Sequence, residues 1–342
     1  MNQKQNPISN LLKKPGAQIL LFVALAAGVQ LLSGGGILPN SLVYALGNTL
    51  IYAIVAIGFC LLLGYAGLAS LGTAGFIGVG AYIAYYMMQE LGLPFILALA
   101  ATIAVSLLLG IIVGFISLRI EGIYLAIMTL GLSETIRNLL MALKPTIKID
   151  LNNLKLFGTP VSDTGSYYLI LGIFAVLMLL VANLIQSPTG RAMLAMKNST
   201  SAAQAMGISL MKYRLLSFVI ATVFAALGGL LYMVHVRTMT TATSTLLTLT
   251  TSLNILGGVV IGGAKSLWGS TFGIFIIYGI QSMFLSKIQF FQKNPAFITM
   301  ITGLLIILVV MFFPGGFAQI VWELKMKWQG RKLKGKEAAH ES

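Results

Sequence analysis

The sequence predicts an all-α integral membrane protein, a polytopic helical bundle of about ten transmembrane segments with two related halves. Three observations lead there. Of 342 residues, 58% are hydrophobic and only 9% charged, against roughly a quarter charged in an ordinary soluble domain, so a single water-surrounded core cannot absorb the apolar side chains. The apolar residues fall in runs close to the roughly 20 needed to cross a hydrocarbon layer of about 30 Å, where only a helix satisfies its own backbone. Two glycine-dense stretches recur, one in each half of the chain.

The spans follow in order. The first covers about residues 17–36 after Pro15. Lys13 and Lys14 with Ala24 to Ala26 resemble a signal peptide, but the apolar run continues to about Leu32, too long for one. The next four are 41–63 after Pro39, 70–88, 94–117 opening at Pro94, and 122–143. Then come 167–187 ending at Pro188, 215–236, a weaker one near 246–263, 267–285, and 296–313 between Pro295 and Pro314. These prolines stand beside spans, where a helix starts or stops most cheaply. One membrane domain, 17–313, therefore lies between a short N-terminal segment, 1–16, and a basic tail, 314–342.

The net charge of +14, from 22 basic and 8 acidic residues, would suggest nucleic acid in a soluble protein. The distribution points elsewhere. An even number of spans puts both termini on one side, together with Lys4, Lys13, Lys14, Arg119, Arg191, Lys197, Lys212, Arg214, Lys265 and the six basic residues of the tail. That majority side is cytoplasmic by the positive-inside rule. The tail reads as a topology anchor touching anionic lipid, and no nucleic-acid partner is expected.

Enzyme chemistry lacks its parts. Cys60 is alone within a span, and His235 and His340 are the only histidines, too few for a metal site or a hydrolytic triad. "GRKLKGKE", Gly330 to Glu337, has phosphate-loop spacing but puts Glu337 where a Ser or Thr must stand. No catalytic residue, cofactor or metal is expected.

The glycines suggest transport. "GYAGLASLGTAGFIGVG" (Gly64 to Gly80) and "GGVVIGGAKSLWGSTFG" (Gly257 to Gly273) lie 193 residues apart. Paired glycine-interrupted segments point to repeated structure with a solute path at the interface. Gly72, Thr73, Gly75, Gly257 and Gly258 are its candidates, with close helix packing as the alternative. Glu134 and Arg137, three apart on the fifth span, are either a structural ion pair or a border of the route.

Between the sixth and seventh spans runs the polar stretch "SPTGRAMLAMKNSTSAAQAMGISLMKYRLLSF", Ser187 to Phe218. Thr189 can cap a short helix through Lys197, and Ser199 or Thr200 a second that stops at Gly207. Met193, Met196, Ala202, Ala203, Ala205 and Met206 make one small-and-methionine face, suited to another protein's groove. A helix resting on lipid headgroups is the alternative, weakened by the absence of Trp and Phe.

At this loop the chain begins to resemble a family. "SAAQAMG", Ser201 to Gly207, is similar to the motif by which permeases of ABC importers meet their ATPases, with Ser201 in place of the usual acid. "GYAGLASLGTAGFIGVGAY", "LRIEGIYLAIMTLGLSETIR", the loop itself, "GGVVIGGAKSLWGSTFG" and "FFPGGF" extend the match from about Leu42 to Phe317. Together these resemble the LivM-type permeases of branched-chain amino acid ABC importers. The resemblance implies a heterodimer with a second, related permease, two cytoplasmic ATPases docking on the loop 188–214, and Leu, Ile or Val delivered by an extracytoplasmic binding protein. Gly190, Arg191, Ala202, Ala203 and Gly207 would carry the docking, in the plasma (inner) membrane of a bacterial-type cell.

The chain departs from the family's pattern at Thr73, where a His is frequent, and in the external segment Leu143 to Pro160, which lacks a glycine-rich run. That segment could meet the binding protein, so urea, short-chain amides or a sugar remain alternative cargoes. A stand-alone ion-coupled carrier would need mid-membrane carboxylates, and only Glu134 offers one. A scaffold without transport leaves the paired glycine stretches unexplained.

Overall fold

A computed structural model describes residues 15–35, 39–117, 122–150, 155–156, 159–160, 162–241, 244–283, 288–289, 291, 295–312, 315–317 and 319. The expectations for the N-terminal lysines, Arg119 and the basic tail lie outside these residues, as does the phosphate-loop look-alike.

Helix α1 (Pro15–Gly34) is followed by α2 (Asn40–Phe59), which widens into a π-helical turn, Cys60–Tyr65. After a non-helical stretch come α3 (Thr73–Tyr85, with a π turn Tyr86–Glu90), α4 (Phe95–Ser117) and α5 (Ile123–Leu143). Helix α6 (Asp163–Gln186) leads into two short helices, α7 (Pro188–Asn198) and α8 (Thr200–Ala205), and then α9 (Leu210–Val236). A 3-10 turn, Thr245–Leu247, precedes α10 (Leu249–Gly262); α11 (Leu267–Ile274) continues through a π turn to Met283, and α12 spans Pro295–Phe312.

The ten expected spans correspond to α1–α6 and α9–α12. Ends move where a cap or a break decides them. Ser162 accepts from the Gly165 N–H, so α6 starts before residue 167. Residues 66–72 leave the helix, so α3 starts three residues after 70.

Among the described residues, five helices are long and apolar enough to cross a membrane alone: Gly16–Gly34, Asn40–Tyr65, Phe95–Ser117, Asp163–Gln186 and Leu210–Val236. Helix α2 is hydrophobic and buried on nearly every side, so it forms the centre. Around it, small residues set the spacing. Ala98, Thr102, Ser106, Gly110 and Gly114 recur every fourth residue on the buried stripe of α4, where the glycines meet Thr222 and Phe218 of α9. Helices α3 and α9 touch backbone to backbone, because a Cβ on Gly80 would strike the Ala226 carbonyl and one on Gly229 the Ile77 carbonyl. The opposite faces of α1, α4 and α12 expose Leu25, Leu108 and Ile307, which suit lipid and would aggregate in water. Hydroxyls inside the spans bond back to their own helices, as Thr49 does to Ala45 and Thr102 to Ala98.

The two ends differ. One gathers Tyr65, Lys197 and Lys265 around the loop formed by α7 and α8. At the other, β1 (Thr146–Lys148) pairs antiparallel with β4 (Thr238–Thr240), tying the α5–α6 and α9–α10 connections together. Within the first of these connections β2 (Lys155–Leu156) pairs with β3 (Thr159–Pro160).

Candidate functional site

The two glycine-dense stretches occupy the two breaks of the bundle, α2–α3 and α10–α11, and meet at the loop end. Cys60 Sγ donates to the Ala264 carbonyl at 3.1 Å, and the Tyr65 hydroxyl to the Lys265 carbonyl at 2.9 Å. A Cβ on Gly64 would strike the Ala264 carbonyl, so only glycine permits this crossing. Gly257 and Gly258 are buried within α10. A Cβ on Gly257 would come 2.6 Å from Ile306 Cδ1 of α12, and one on Gly258 2.7 Å from Ile274 Cδ1 of α11. Close helix packing is the role the geometry gives these two.

The first turn of α3 is different. A helix that begins among apolar neighbours leaves its leading N–H groups without partners. Here side chains from two other helices supply them. The Leu71 N–H donates to Thr129 Oγ1 of α5 at 3.0 Å, the Ala74 N–H to Ser252 Oγ of α10 at 3.0 Å, and the Gly75 N–H to Ser133 Oγ of α5 at 2.9 Å. Gly72 and Gly75 allow the approach, since a Cβ at either would lie 2.9 Å from α5 backbone. Thr73, buried beside Ser70, lines a cavity of about 10 Å³ with Phe59 and Thr222, room for about one water.

Glu134 follows Ser133 and turns to the outer side of α5, where its Oε2 accepts from Arg137 at 3.3 Å. The side chains are 41% and 24% exposed, and Arg137 Nε is buried without a partner. Gly131, Thr135 and Asn138 are exposed on the same helix, making a polar strip on an otherwise apolar surface. Lipid is a costly neighbour for such a strip. Gly72, Thr73, Gly75, Glu134 and Arg137 thus share one neighbourhood, while Gly257 and Gly258 face α12 and α11.

In the loop, Ser187 caps α7 by accepting from the Gly190 N–H, with Pro188 at the first helical position. This corrects the expectation of a Thr189 cap: proline fixed the start two residues earlier. Ser199 caps α8, and Gly207 turns the chain at φ +77°. The expected docking face divides. Met193, Met196 and Ala203 are buried in this chain's own bundle, whereas Ala202, Ala205 and Met206 stay exposed, Met206 at 82%. Gly190 is buried against the Ile185 backbone, and exposed Arg191 donates to the Gln186 carbonyl at 3.0 Å.

Lys197 was legible only as a charge, yet it joins the loop to the glycine crossing. Its Nζ donates to the carbonyls of Leu63 (3.1 Å) and Gly64 (2.7 Å), a cation on the carbonyl end of α2. Burial holds its pKa below 10.5, and neighbouring Lys265 acts in the same direction. Thr129, Ser133 and Ser252 were also missed; hydroxyls four apart within an apolar span were the available signal.

The family described as "Branched-chain amino acid transport system / permease component" matches residues 41–310. The chain is 29% identical over 319 residues to a Salmonella typhimurium protein described as "High-affinity branched-chain amino acid transport system permease protein LivM", covering 85% of this chain and 72% of that one. An Escherichia coli K12 protein of the same description is 28% identical over 308 residues, covering 82% and 70%. No solved structure matches the chain. A multi-pass helical bundle, glycine-crossed at the loop end and matched over most of its length, this chain belongs to the family of branched-chain amino acid transport system permease components.

Proposed function

We propose that this chain is one of two related permease subunits that together pass Leu, Ile or Val across the plasma membrane. A binding protein delivers the cargo outside, and two ATPases press on the loop 188–214 inside. The observation that carries the reading is the loop itself: part of its apolar face anchors it, part remains exposed for a partner, and Lys197 links it to the crossing of both glycine stretches. Closure of the ATPases then favours one of two bundle arrangements. The polar strip of Glu134, Thr135, Arg137 and Asn138 is placed against the second permease and the route between them, where Gly72, Thr73 and Gly75 form the supporting layer. The expected topology gathers 15 of the 22 basic residues on the side of the loop and both termini, which favours the cytoplasm for that side.

The test is ATP hydrolysis in vesicles containing the reconstituted complex. Binding protein loaded with Leu, Ile or Val should stimulate it. Silence with all three, alongside a response to urea or a sugar, reassigns the cargo.

A further inference from the structure

At the end opposite the loop, the bundle opens into a cleft of about 650 Å³. Gln30 of α1, Tyr44 of α2, Asp163 of α6, and His235 and Arg237 at the end of α9 contribute to its wall. Arg237 follows α9 with φ +66°, among the described residues the one non-glycine in that region. Helices commonly end there on glycine, because a side chain strains the backbone. Its N–H donates to Met233 and its carbonyl accepts from the Ile149 N–H at 2.8 Å, so the ribbon of β1 and β4 holds it in place.

The strained position aims the guanidinium into the cleft. Nη2 pairs with Asp163 Oδ1, while Nε is buried without a partner. Arg237 is 19% exposed and Asp163 85%. In the α1 part of the lining, Gln30 Oε1 is buried and equally without a partner. A sheltered cation with an unused donor therefore stands beside an open carboxylate and an unused acceptor. The complementary molecule carries an anionic oxygen and a primary ammonium a few bonds apart: the anion meets Arg237, and the ammonium meets Asp163 and Gln30.

A free amino acid and an amine-bearing phospholipid share this chemistry. Position favours the lipid. The cleft lies at helix ends, where headgroups lie, and next to its lining residue Gln30 helix α1 exposes Leu31 (70%) and Leu32 (46%), a surface for acyl chains. A space of about 650 Å³ is more than a single small amino acid fills.

We propose that this cleft seats the headgroup of an amine-bearing phospholipid of the phosphatidylethanolamine type, its phosphate on Arg237 and its ammonium on Asp163. The proposal needs the membrane fold but not the cargo or the ATPases, so failure of the transport reading leaves it standing.

The test uses the purified full chain in detergent, with dioleoyl-phosphatidylethanolamine, dioleoyl-phosphatidylglycerol or free leucine added separately. Thermal unfolding and native mass spectrometry read the binding. The amine lipid should raise Tm and remain bound, and the glycerol lipid should do neither. Arg237→Gly relieves the backbone, so its lipid-free Tm should hold or rise while amine-lipid affinity falls at least tenfold. Asp163→Asn should erase the preference for the amine lipid over the glycerol lipid. Equal binding of both lipids to the wild type, wild-type amine-lipid affinity in Arg237→Gly, or protection by leucine alone would overturn the assignment.

Discussion

Single side chains matter most in this bundle where they close a backbone end. Lys197 gives two hydrogen bonds to the carbonyl terminus of α2, and bonds from a charged donor are worth roughly 1.5–3 kcal/mol each. Lys197→Met keeps the stem that packs beside Gly67 and removes the bonds. In proteoliposomes the variant should still assemble and hydrolyse ATP, but leucine accumulated per ATP should fall about tenfold, a factor that corresponds to 1.4 kcal/mol. Lys197→Arg should recover most of it. Unchanged coupling in Lys197→Met would confine the residue to packing. At the other end, Lys144 Nζ meets Glu90 Oε1 at 2.7 Å and lies 4.5 Å from the Tyr85 ring centroid. Hydrogen bonds from Lys144 and Tyr85 hold the Glu90 carboxyl below 4.5, and Glu90 holds Lys144 above 10.5. A lowered acid stabilises above its unfolded value and ceases to as pH falls through the folded one; a raised base stabilises below 10.5 and ceases to above it. Tm should therefore decline below about pH 4.5 and above about 10.5, by little because both groups are exposed. Glu90→Gln should flatten both arms of that profile.

At the scale of elements, the loop of α7 and α8 separates what sequence shows from what it conceals. The spacing of Met193, Met196, Ala203 and Met206 revealed an amphipathic face, since helical periodicity is local. Which protein covers that face is a tertiary matter, and the bundle covers half of it: Met193 and Met196 are buried, Met206 is not. The same limit applies to the glycines. Their density marked both breaks, but that Gly64 meets Ala264 while Gly257 meets Ile306 depends on partners distant in sequence. The division of the face has a direct consequence. Met206→Glu adds charge to an exposed site and should leave expression unchanged and stability within about 0.5 kcal/mol of wild type while ATPase co-purification drops at least tenfold. Met193→Glu buries an unpaired carboxylate and should yield little folded protein. If Met206→Glu retained the ATPases at wild-type yield, the exposed half of the loop would not be their seat.

For the molecule as a whole, the helices at all ten expected spans were legible because lipid leaves a long apolar run no alternative to helix, and five of them among the described residues are long and apolar enough to cross alone. Four contacts were not: the hydroxyls that close α3, the bond from Cys60 to Ala264 across 204 residues, the Lys197 tether and the Arg237 cleft. Each joins residues that only the folded bundle brings together. The end-to-end asymmetry, however, links sequence and structure in one measurable quantity. Arg191, Lys197, Lys212, Arg214 and Lys265 all stand at the loop end, in its connections or the first turns of α9, whereas Lys144, Lys148 and Arg237 stand at the ribbon end beside Glu90, Asp150 and Asp163. Orientation depends on the basic residues alone, so the loop end should face the cytoplasm. Native Cys60 is buried and should stay silent to a membrane-impermeant thiol reagent. In intact cells Lys148→Cys should be labelled and Lys212→Cys protected; in inside-out vesicles the pattern should reverse. Labelling of Lys212→Cys from outside intact cells would turn the molecule over, leaving ATP-driven partners no surface on the loop to grip.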